Sequence, residues 1–198
     1  MARAGVILYV AGIAFAEALR FRWRVARFRS RGSWRRTGGA TGVPELIVML
    51  SVVFGIWVFP LVYASTNWLG PFDYSCPGWT VWVAAAVFGG GLVIRWKAQR
   101  SLGRQWSPTL EVTEGHALVT NGIYSRIRHP IYASLVPWAL AQPFLLQNAI
   151  AGWSGAVAAA LVWFVRVPRE EAMMLETFGD EYRQYMARTG GLIPRRRN

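Results

Sequence analysis

The chain has few of the residues from which disulfide-bonded and metal-binding proteins are built. Cys76 is the single cysteine, so the chain cannot form an internal disulfide. His116 and His129 are the only histidines, and no Asp or Cys cluster accompanies them, which argues against a zinc site. Acidic residues are also scarce, with 10 Asp and Glu against 22 Lys and Arg. We therefore predict neither a disulfide scaffold nor a bound metal.

A net charge of +12 raises the possibility of a nucleic-acid partner, but the distribution of the charge favours a membrane instead. Hydrophobic residues make up 54% of the chain and there are 11 tryptophans, more than is typical of a soluble domain. The basic residues lie between long apolar runs, as in membrane proteins with basic cytoplasmic loops. We expect contact with membrane lipids and no nucleic-acid partner.

Five apolar runs predict an all-α integral membrane protein with about five transmembrane helices in one domain, residues 1–198. Only Asn148 separates the last two runs, and so short a joint predicts a helical hairpin whose arms enter and leave on one side. Pro137 and Pro143 are expected to kink its first arm. The runs cover residues 4–19, 43–63, 79–94, 131–147 and 149–167.

The basic residues also predict an orientation. Lys and Arg number eight between the first two runs, none in the next loop, six in residues 95–128 and seven from Arg166 onward. Because cytoplasmic loops carry the positive charge, the amino terminus is expected outside and the carboxyl terminus in the cytoplasm. All but one of the basic residues are arginine, which is typical of a GC-rich bacterial genome, so we expect a multi-pass protein of a bacterial inner membrane.

Two polar stretches flank the predicted hairpin, residues 116–132 before it and 170–188 after it. Since a hairpin returns its ends to one side, both stretches should build one cytoplasmic pocket at the membrane surface. Such a pocket suits an enzyme that joins a water-soluble cofactor to a lipophilic acceptor. The side chains expected there are His116, Tyr124, Arg128, His129, Tyr132, Glu170, Glu171, Tyr182, Tyr185 and Arg188.

The two stretches together resemble the signature of the isoprenylcysteine carboxyl methyltransferase family, which includes phospholipid methyltransferase relatives. The resemblance covers residues 102–194, and family members often have Gly where this chain has Ser134 and Leu where it has Met174. The first part of the signature is Leu118-Val119-Thr120-x-Gly122-x-Tyr124-x-x-x-Arg128-His129-Pro130-x-Tyr132. The second is Glu170-Glu171 followed by Phe178-Gly179-x-Glu181-Tyr182-x-x-Tyr185 and an arginine.

The resemblance implies S-adenosylmethionine as cofactor and methyl transfer to a lipophilic small molecule or a lipid-anchored substrate. Residues 1–98 would then be three scaffold helices and residues 99–198 the cofactor-binding catalytic region. Arg128, Glu171 and Arg188 are the catalytic candidates, because an arginine can orient a carboxylate and Glu171 (or His129) can accept a proton from an amine. The cofactor carboxylate would be bound by Arg128, His129 and the turn at Gly122. The ribose would be bound by Glu170 or Glu171. The adenine would lie against Leu118, Val119, Pro130 and Tyr132. His116, Tyr124, Tyr182 and Tyr185 complete the predicted cofactor site.

Other interpretations stay open at this stage. Tyr182 and Tyr185 can instead seal the last helix to the interface, and Glu170 and Glu171 can complement a helix dipole. An NADPH-dependent membrane reductase related to the sterol reductases is the alternative enzyme, although paired glutamates would repel a 2′-phosphate. A non-catalytic protein that binds anionic lipid is a third possibility. The acceptor group is open among an isoprenylcysteine-like carboxylate, a thiol and a lipid amine.

Overall fold

The structure is a computed structural model that describes residues 2–29, 36–39, 42–103, 111–113 and 117–195. Helices dominate it, as the apolar runs predict. Among the described residues the α-helices are α1 (Ala2–Arg29), α2 (Val43–Val53), α3 (Phe59–Ser65), α4 (Trp79–Leu102), α5 (Pro130–Ala133), α6 (Leu135–Leu146), α7 (Ala149–Leu161) and α8 (Val167–Arg188). Two π-helices, Phe54–Val58 and Val162–Arg166, join α2 to α3 and α7 to α8. Short 3-10 turns occupy Gly70–Phe72 and Gly122–Ser125.

Four of the resulting helical stretches are long and apolar enough to cross a membrane, and a fifth is apolar but shorter. The prediction of an all-α integral membrane protein is confirmed. The shorter stretch is the first arm of the hairpin, which the sequence analysis counted as a full span. The four long stretches are Arg3–Arg22, Val43–Ser65, Trp79–Leu102 and Ala149–Arg188, and the shorter one is Pro130–Leu146.

Several helices continue well past the apolar runs from which they were predicted. The third run was predicted to end at residue 94, but α4 continues to Leu102 and ends where Gly103 takes a φ of 53°. The backbone hydrogen bonds of a helix do not require apolar side chains, so a helix continues until a residue such as this glycine breaks it. Hydropathy therefore predicted the part of each helix suited to lipid, and not its end.

The predicted hairpin is present, and two residues form its turn. Gln147 adopts a left-handed φ of 50°, and the Oδ1 atom of Asn148 accepts hydrogen bonds from the first amides of α7, those of Ile150 and Ala151. Asn148 is fully buried. It thus supplies the side-chain cap that the first turn of a helix needs.

Asn148 also ties the hairpin turn to the loop between α3 and α4. Its Nδ2 atom donates to the carbonyl of Leu69 at 2.7 Å and to Oδ1 of Asp73 at 2.8 Å. The Tyr74 hydroxyl adds a bond of 2.8 Å to the carbonyl of Pro143. The hairpin turn and this loop therefore lie at the same end of the bundle, as the alternating loop charges predict.

The prolines of the first arm act differently from one another. The helix is interrupted at Ser134, three residues before Pro137, in agreement with the clash between a proline ring and the preceding turn. Pro143 lies inside α6, which continues through it as one helix to Leu146. The structure therefore shows a break in the helix near Pro137, and the kink expected at Pro143 stays a prediction.

Polar side chains satisfy backbone groups that a π-helix releases inside the bundle. The carbonyl of Gly55, in the first π-helix, accepts bonds from Gln142 Nε2 at 2.9 Å and from Ser154 Oγ at 2.8 Å. A Cβ on Gly155 would clash with Gln142 Oε1, so the glycine makes room for the amide. Freed carbonyls in lipid need such partners, and these contacts hold α6 and α7 against the second span.

Three consecutive glycines, Gly89–Gly91, lie in α4, and small residues in a membrane helix usually let a neighbouring helix approach closely. This holds for Gly91, where a Cβ would lie 3.0 Å from Pro137 Cγ and 3.1 Å from the carbonyl of Ser134. A Cβ on Gly89 or Gly90 would meet nothing within 4 Å. Helix α4 therefore packs along α5 and α6 through Gly91.

The sequence of residues 102–107 and 110–112 predicts an ordered interfacial segment with short extended strands. The structure has one of them, β2 (Glu111–Thr113), paired antiparallel with β1 (Arg36–Gly39) from the loop after α1. The rest of that prediction, residues 104–110, lies outside the described residues.

Candidate functional site

The two polar stretches meet through backbone hydrogen bonds. The amides of Arg128 and His129 donate to the carbonyls of Gly190 and Gly191, at 2.8 and 3.1 Å, and the amide of Gly190 donates to the carbonyl of Arg126 at 3.3 Å. The loop before the hairpin thus pairs with the segment that follows α8. A Cβ on Gly190 would clash with the carbonyl of Ile193, so the turn that follows this pairing requires a glycine there.

Arg128 joins the stretches through its side chain as well. Its Nε and Nη2 atoms donate to Glu171 Oε1 at 3.1 and 2.8 Å. Its Nη1 atom donates to the carbonyls of Thr189 and Met186, the latter at 3.4 Å. All three nitrogens are therefore engaged by α8 and the segment after it, and Arg128 acts as a cross-link.

His129 contributes a second contact to the same carboxylate. Its Nε2 atom lies 3.0 Å from Glu171 Oε1, and its ring stacks on the Tyr132 ring with 5.8 Å between centroids. The side chain is buried, with 4% of the residue exposed. Glu171 Oε1 thus accepts from both Arg128 and His129.

Tyr132 binds the neighbouring glutamate. Its hydroxyl donates to Glu170 Oε2 at 2.5 Å and accepts from Arg166 Nε at 2.9 Å, while its carbonyl accepts from Trp163 Nε1 at 3.2 Å. Arg166 also pairs with Glu45 at the start of α2, with 2.8 Å between Nη1 and Oε1. The chain of contacts therefore runs from the second span through Arg166 and Tyr132 to Glu170.

Each glutamate keeps one carboxylate oxygen without a hydrogen bond from the described residues. For Glu171 this is Oε2, and for Glu170 it is Oε1, which lies 3.9 Å from His129 Nδ1. The side chains are 26% exposed at Glu170 and 22% exposed at Glu171. Two partly exposed acceptor atoms therefore lie where the stretches meet, on the two glutamates nearest His129.

The tyrosines of the two stretches are buried. The Tyr185 hydroxyl donates to the carbonyl of Tyr124 at 2.6 Å, so α8 is fastened to the 3-10 turn that starts at Gly122. Burial, together with the negative charge of Glu170, raises the pKa of Tyr124 well above its usual value, so its hydroxyl is neutral. Tyr182 is also buried, with its ring 5.9 Å from that of Tyr185.

The remaining predicted residues are less closely tied to the glutamates. Leu118 and Val119 are half-buried, Pro130 is buried at the first turn of α5, and Arg188 is exposed. His116 lies outside the described residues. The structure thus brings Arg128, His129, Tyr132, Glu170 and Glu171 together, and it fastens Tyr124 to Tyr185 beside them.

Two charged residues of this network were not predicted from the sequence. Arg166 lies within an apolar run, and Glu45, in the first turn of α2, is expected from the sequence only to complement the helix dipole. A charge near the end of a membrane span usually faces the bundle and marks a site, and that signal identifies Arg166. The contribution of the backbone at Gly190 and Gly191 carries no comparable signal.

The comparison with protein families gives one match that spans the hairpin and both glutamates. Residues 82–176 match the isoprenylcysteine carboxyl methyltransferase (ICMT) family. Just under half of the chain is therefore similar to this family. The matched region begins within α4, earlier than the sequence motifs indicated, and ends before Tyr182, Tyr185 and Arg188.

Individual members of the family show the same likeness. The chain is 30% identical over 106 residues to protein-S-isoprenylcysteine O-methyltransferase B of Arabidopsis thaliana, over 52% of this chain and 54% of that protein. It is 32% identical over 106 residues to protein-S-isoprenylcysteine O-methyltransferase of Schizosaccharomyces pombe, over 52% of this chain and 45% of that one. The chain thus spans about half the length of these curated relatives.

A solved structure of the eukaryotic intramembrane Ras methyltransferase ICMT also resembles the fold. Its TM-score is 0.51 at 25% sequence identity, over 76% of this chain and 50% of that one. The structural likeness extends further along this chain than the family match does, and it accords with an integral membrane fold.

Proposed function

We propose that this chain is an S-adenosylmethionine-dependent methyltransferase that acts on a lipophilic acceptor at the membrane surface. The observation that carries the proposal is the joining of the two signature halves: Arg128 and His129 bind Glu171, while Tyr132 binds Glu170. The proposal is further supported by relatives that are named for methyl transfer to isoprenylcysteine.

The residues present suit this cofactor. A ribose diol needs hydrogen-bond acceptors, and Glu170 and Glu171 each supply one partly exposed oxygen that accepts no hydrogen bond from a described residue. Pro130, Tyr132 and the half-buried Leu118 and Val119 offer apolar surface for an adenine. The carboxylate of the cofactor would then be held by the turn at Gly122 and by His129, because the nitrogens of Arg128 are engaged elsewhere.

The chemistry requires positioning more than proton transfer. When bound, S-adenosylmethionine supplies an electrophilic methyl group on a sulfonium. The task of this chain is to orient the acceptor and to exclude water, for which a bilayer surface is suited. In this proposal Arg128 holds Glu171 in place. Tyr182 and Tyr185 line the side of the site that α8 forms, and the exposed Arg188 lies at the outer rim of the site. Glu171 remains the proposed base for an amine acceptor, and His116 remains a proposed cofactor contact.

Binding of S-adenosylhomocysteine to the detergent-solubilised protein tests the proposal. We expect Glu170→Gln to weaken binding at least about tenfold, since a charged acceptor contributes about 1.5–3 kcal/mol. Glu176→Gln is the matched control, because it removes an exposed carboxylate from the same helix. Failure of the wild-type protein to bind S-adenosylhomocysteine, in detergent or in lipid, contradicts the proposal.

The reductase alternative gains no support from the comparisons, whose members are named as methyltransferases. Two neighbouring glutamates would also repel the 2′-phosphate of NADPH. A thermal shift with S-adenosylhomocysteine and none with NADPH is the expected result.

A further inference from the structure

A largely buried ion pair joins the second span to the start of the last helical stretch. Arg166 Nη1 lies 2.8 Å from Glu45 Oε1, and the two side chains are 13% and 15% exposed. Glu45 lies in the first turn of α2, outside the residues that match the family. Its second oxygen, Oε2, is buried and accepts no hydrogen bond from a described residue. Among the described residues, Arg166 is therefore the partner that the structure gives this carboxylate.

Arg166 also determines where the Tyr132 hydroxyl points. Its Nε atom donates to the hydroxyl oxygen at 2.9 Å, and its guanidinium lies over the Tyr132 ring, 5.8 Å from the centroid. A phenol has a single hydrogen, and an oxygen that accepts a bond from a cation directs that hydrogen to another partner. The partner here is Glu170 Oε2. Arg166 thus fixes one oxygen of Glu170 through Tyr132, and the other oxygen accepts no hydrogen bond from a described residue.

The spacing of Arg166 and Glu170 shows what the acid from the second span prevents. Glu170 follows Arg166 by four residues, and side chains four apart on a helix are close enough to form an ion pair. A buried cation left without a counter-ion is costly, so an Arg166 without Glu45 would be drawn to Glu170. Glu45 supplies the counter-ion from another helix. The carboxylate of Glu170 is thereby left to Tyr132 and to a ligand.

We propose that Glu45 is a positioning residue of the cofactor site, which holds Arg166 against α2 so that Glu170 keeps an oxygen for the cofactor ribose. This inference rests on the proposed function. Glu45 touches neither the cofactor nor the acceptor, and it acts only through Arg166 and Tyr132. The second span, which belongs to the predicted scaffold, therefore contributes a residue to the site.

A double-mutant cycle on S-adenosylhomocysteine binding in detergent separates this role from a purely structural one. We expect Glu45→Gln to weaken binding about fivefold, because the released Arg166 occupies Glu170. In a Glu170→Gln background the same change should have less than about a twofold effect, since no carboxylate remains to be occupied. Glu45→Asp keeps the charge with a shorter reach and should lose less affinity than Glu45→Gln. Glu17→Gln is the matched control with the wild-type affinity expected, because Glu17 pairs with Arg20 in α1 at 2.7 Å.

Equal weakening by Glu45→Gln in both backgrounds overturns the inference, as does an unchanged affinity in Glu45→Gln or an equal loss in Glu17→Gln. If Glu45→Gln does not fold, Glu45→Asp replaces it: a loss that disappears in the Glu170→Gln background supports the inference, and any other result overturns it. Failure of the wild-type protein to bind S-adenosylhomocysteine contradicts the proposed function instead. The free energies of unfolding of Glu45→Gln, Tyr132→Phe and the double variant then decide, since non-additive losses support the coupling through Arg166 and additive losses overturn it.

Discussion

At the scale of single residues, the structure separates side chains that hold the site together from those with atoms left for a ligand. The guanidinium of Arg128 is engaged by Glu171, Thr189 and Met186, which makes it a positioning residue in our account. Glu170 and Glu171 each keep an unpaired oxygen among the described residues. A motif shows that an arginine and a glutamate are present, but only the contacts show which atoms remain available.

Tyr185 and Tyr182 test whether the buried tyrosines fasten α8. The Tyr185 hydroxyl donates to the carbonyl of Tyr124, whereas Tyr182 donates no hydrogen bond to a described residue. We expect Tyr185→Phe to lower the free energy of unfolding by about 1 kcal/mol, the usual net value of one hydrogen bond. Tyr182→Phe should change it by less than about 0.5 kcal/mol.

Unfolding in mixed detergent micelles measures both tyrosine variants under one condition. Equal losses of unfolding free energy in the two variants would show that the hydrogen bond from Tyr185 to Tyr124 is not what stabilises α8. If Tyr182→Phe alone weakened S-adenosylhomocysteine binding, its hydroxyl would be assigned to the cofactor, as the family signature implies.

At the scale of elements, the hairpin determines where the polar stretches meet. Its turn is fixed by Asn148, which caps α7 and holds the Leu69–Asp73 loop. We expect Asn148→Ala to cost about 2–3 kcal/mol, from a lost cap and two lost hydrogen bonds. Asn148→Ser keeps a capping oxygen and should cost about half as much.

Chemical denaturation of the purified protein checks this series. Since the turn lies at the far end of the bundle from Glu170, S-adenosylhomocysteine binding at low temperature should stay close to the wild-type value. A loss below about 0.5 kcal/mol for Asn148→Ala, the range of ordinary surface substitutions, would mean that the contacts of Asn148 do not stabilise the hairpin.

At the scale of the whole molecule, the sequence predicts the helical membrane fold well because lipid imposes a strong constraint. Spans must be apolar and their backbone must be bonded internally, so five apolar runs and one short joint predict the order of the helices. Hydropathy does not predict the helix ends, as α4 shows by continuing to Leu102. It also does not predict the two π-helices, in the first of which the Gly55 carbonyl is bonded by Gln142 and Ser154 from other helices.

The sequence predicts the residues of the candidate site only where they lie within the two motifs. Residues 116–132 and 170–188 contain the pairs that the structure joins, and the hairpin argument predicts that these stretches approach each other. Arg166 lies within an apolar run, so the composition of that run does not predict its contacts with Tyr132 and Glu45. The pairing of Arg128 and His129 with Gly190 and Gly191 uses backbone atoms, which no residue type reveals.

The central claim is that both polar stretches lie on one side of the bilayer and form one site. Labelling with a membrane-impermeant maleimide tests it, in intact cells and in inverted vesicles. Ser125→Cys and Thr177→Cys, both at exposed positions, are made singly in a Cys76→Ser background, and wild-type Cys76 reports the opposite end. We predict that the two introduced cysteines react only in inverted vesicles and Cys76 only in intact cells. Reaction of the Ser125→Cys and Thr177→Cys proteins from opposite sides would contradict the account.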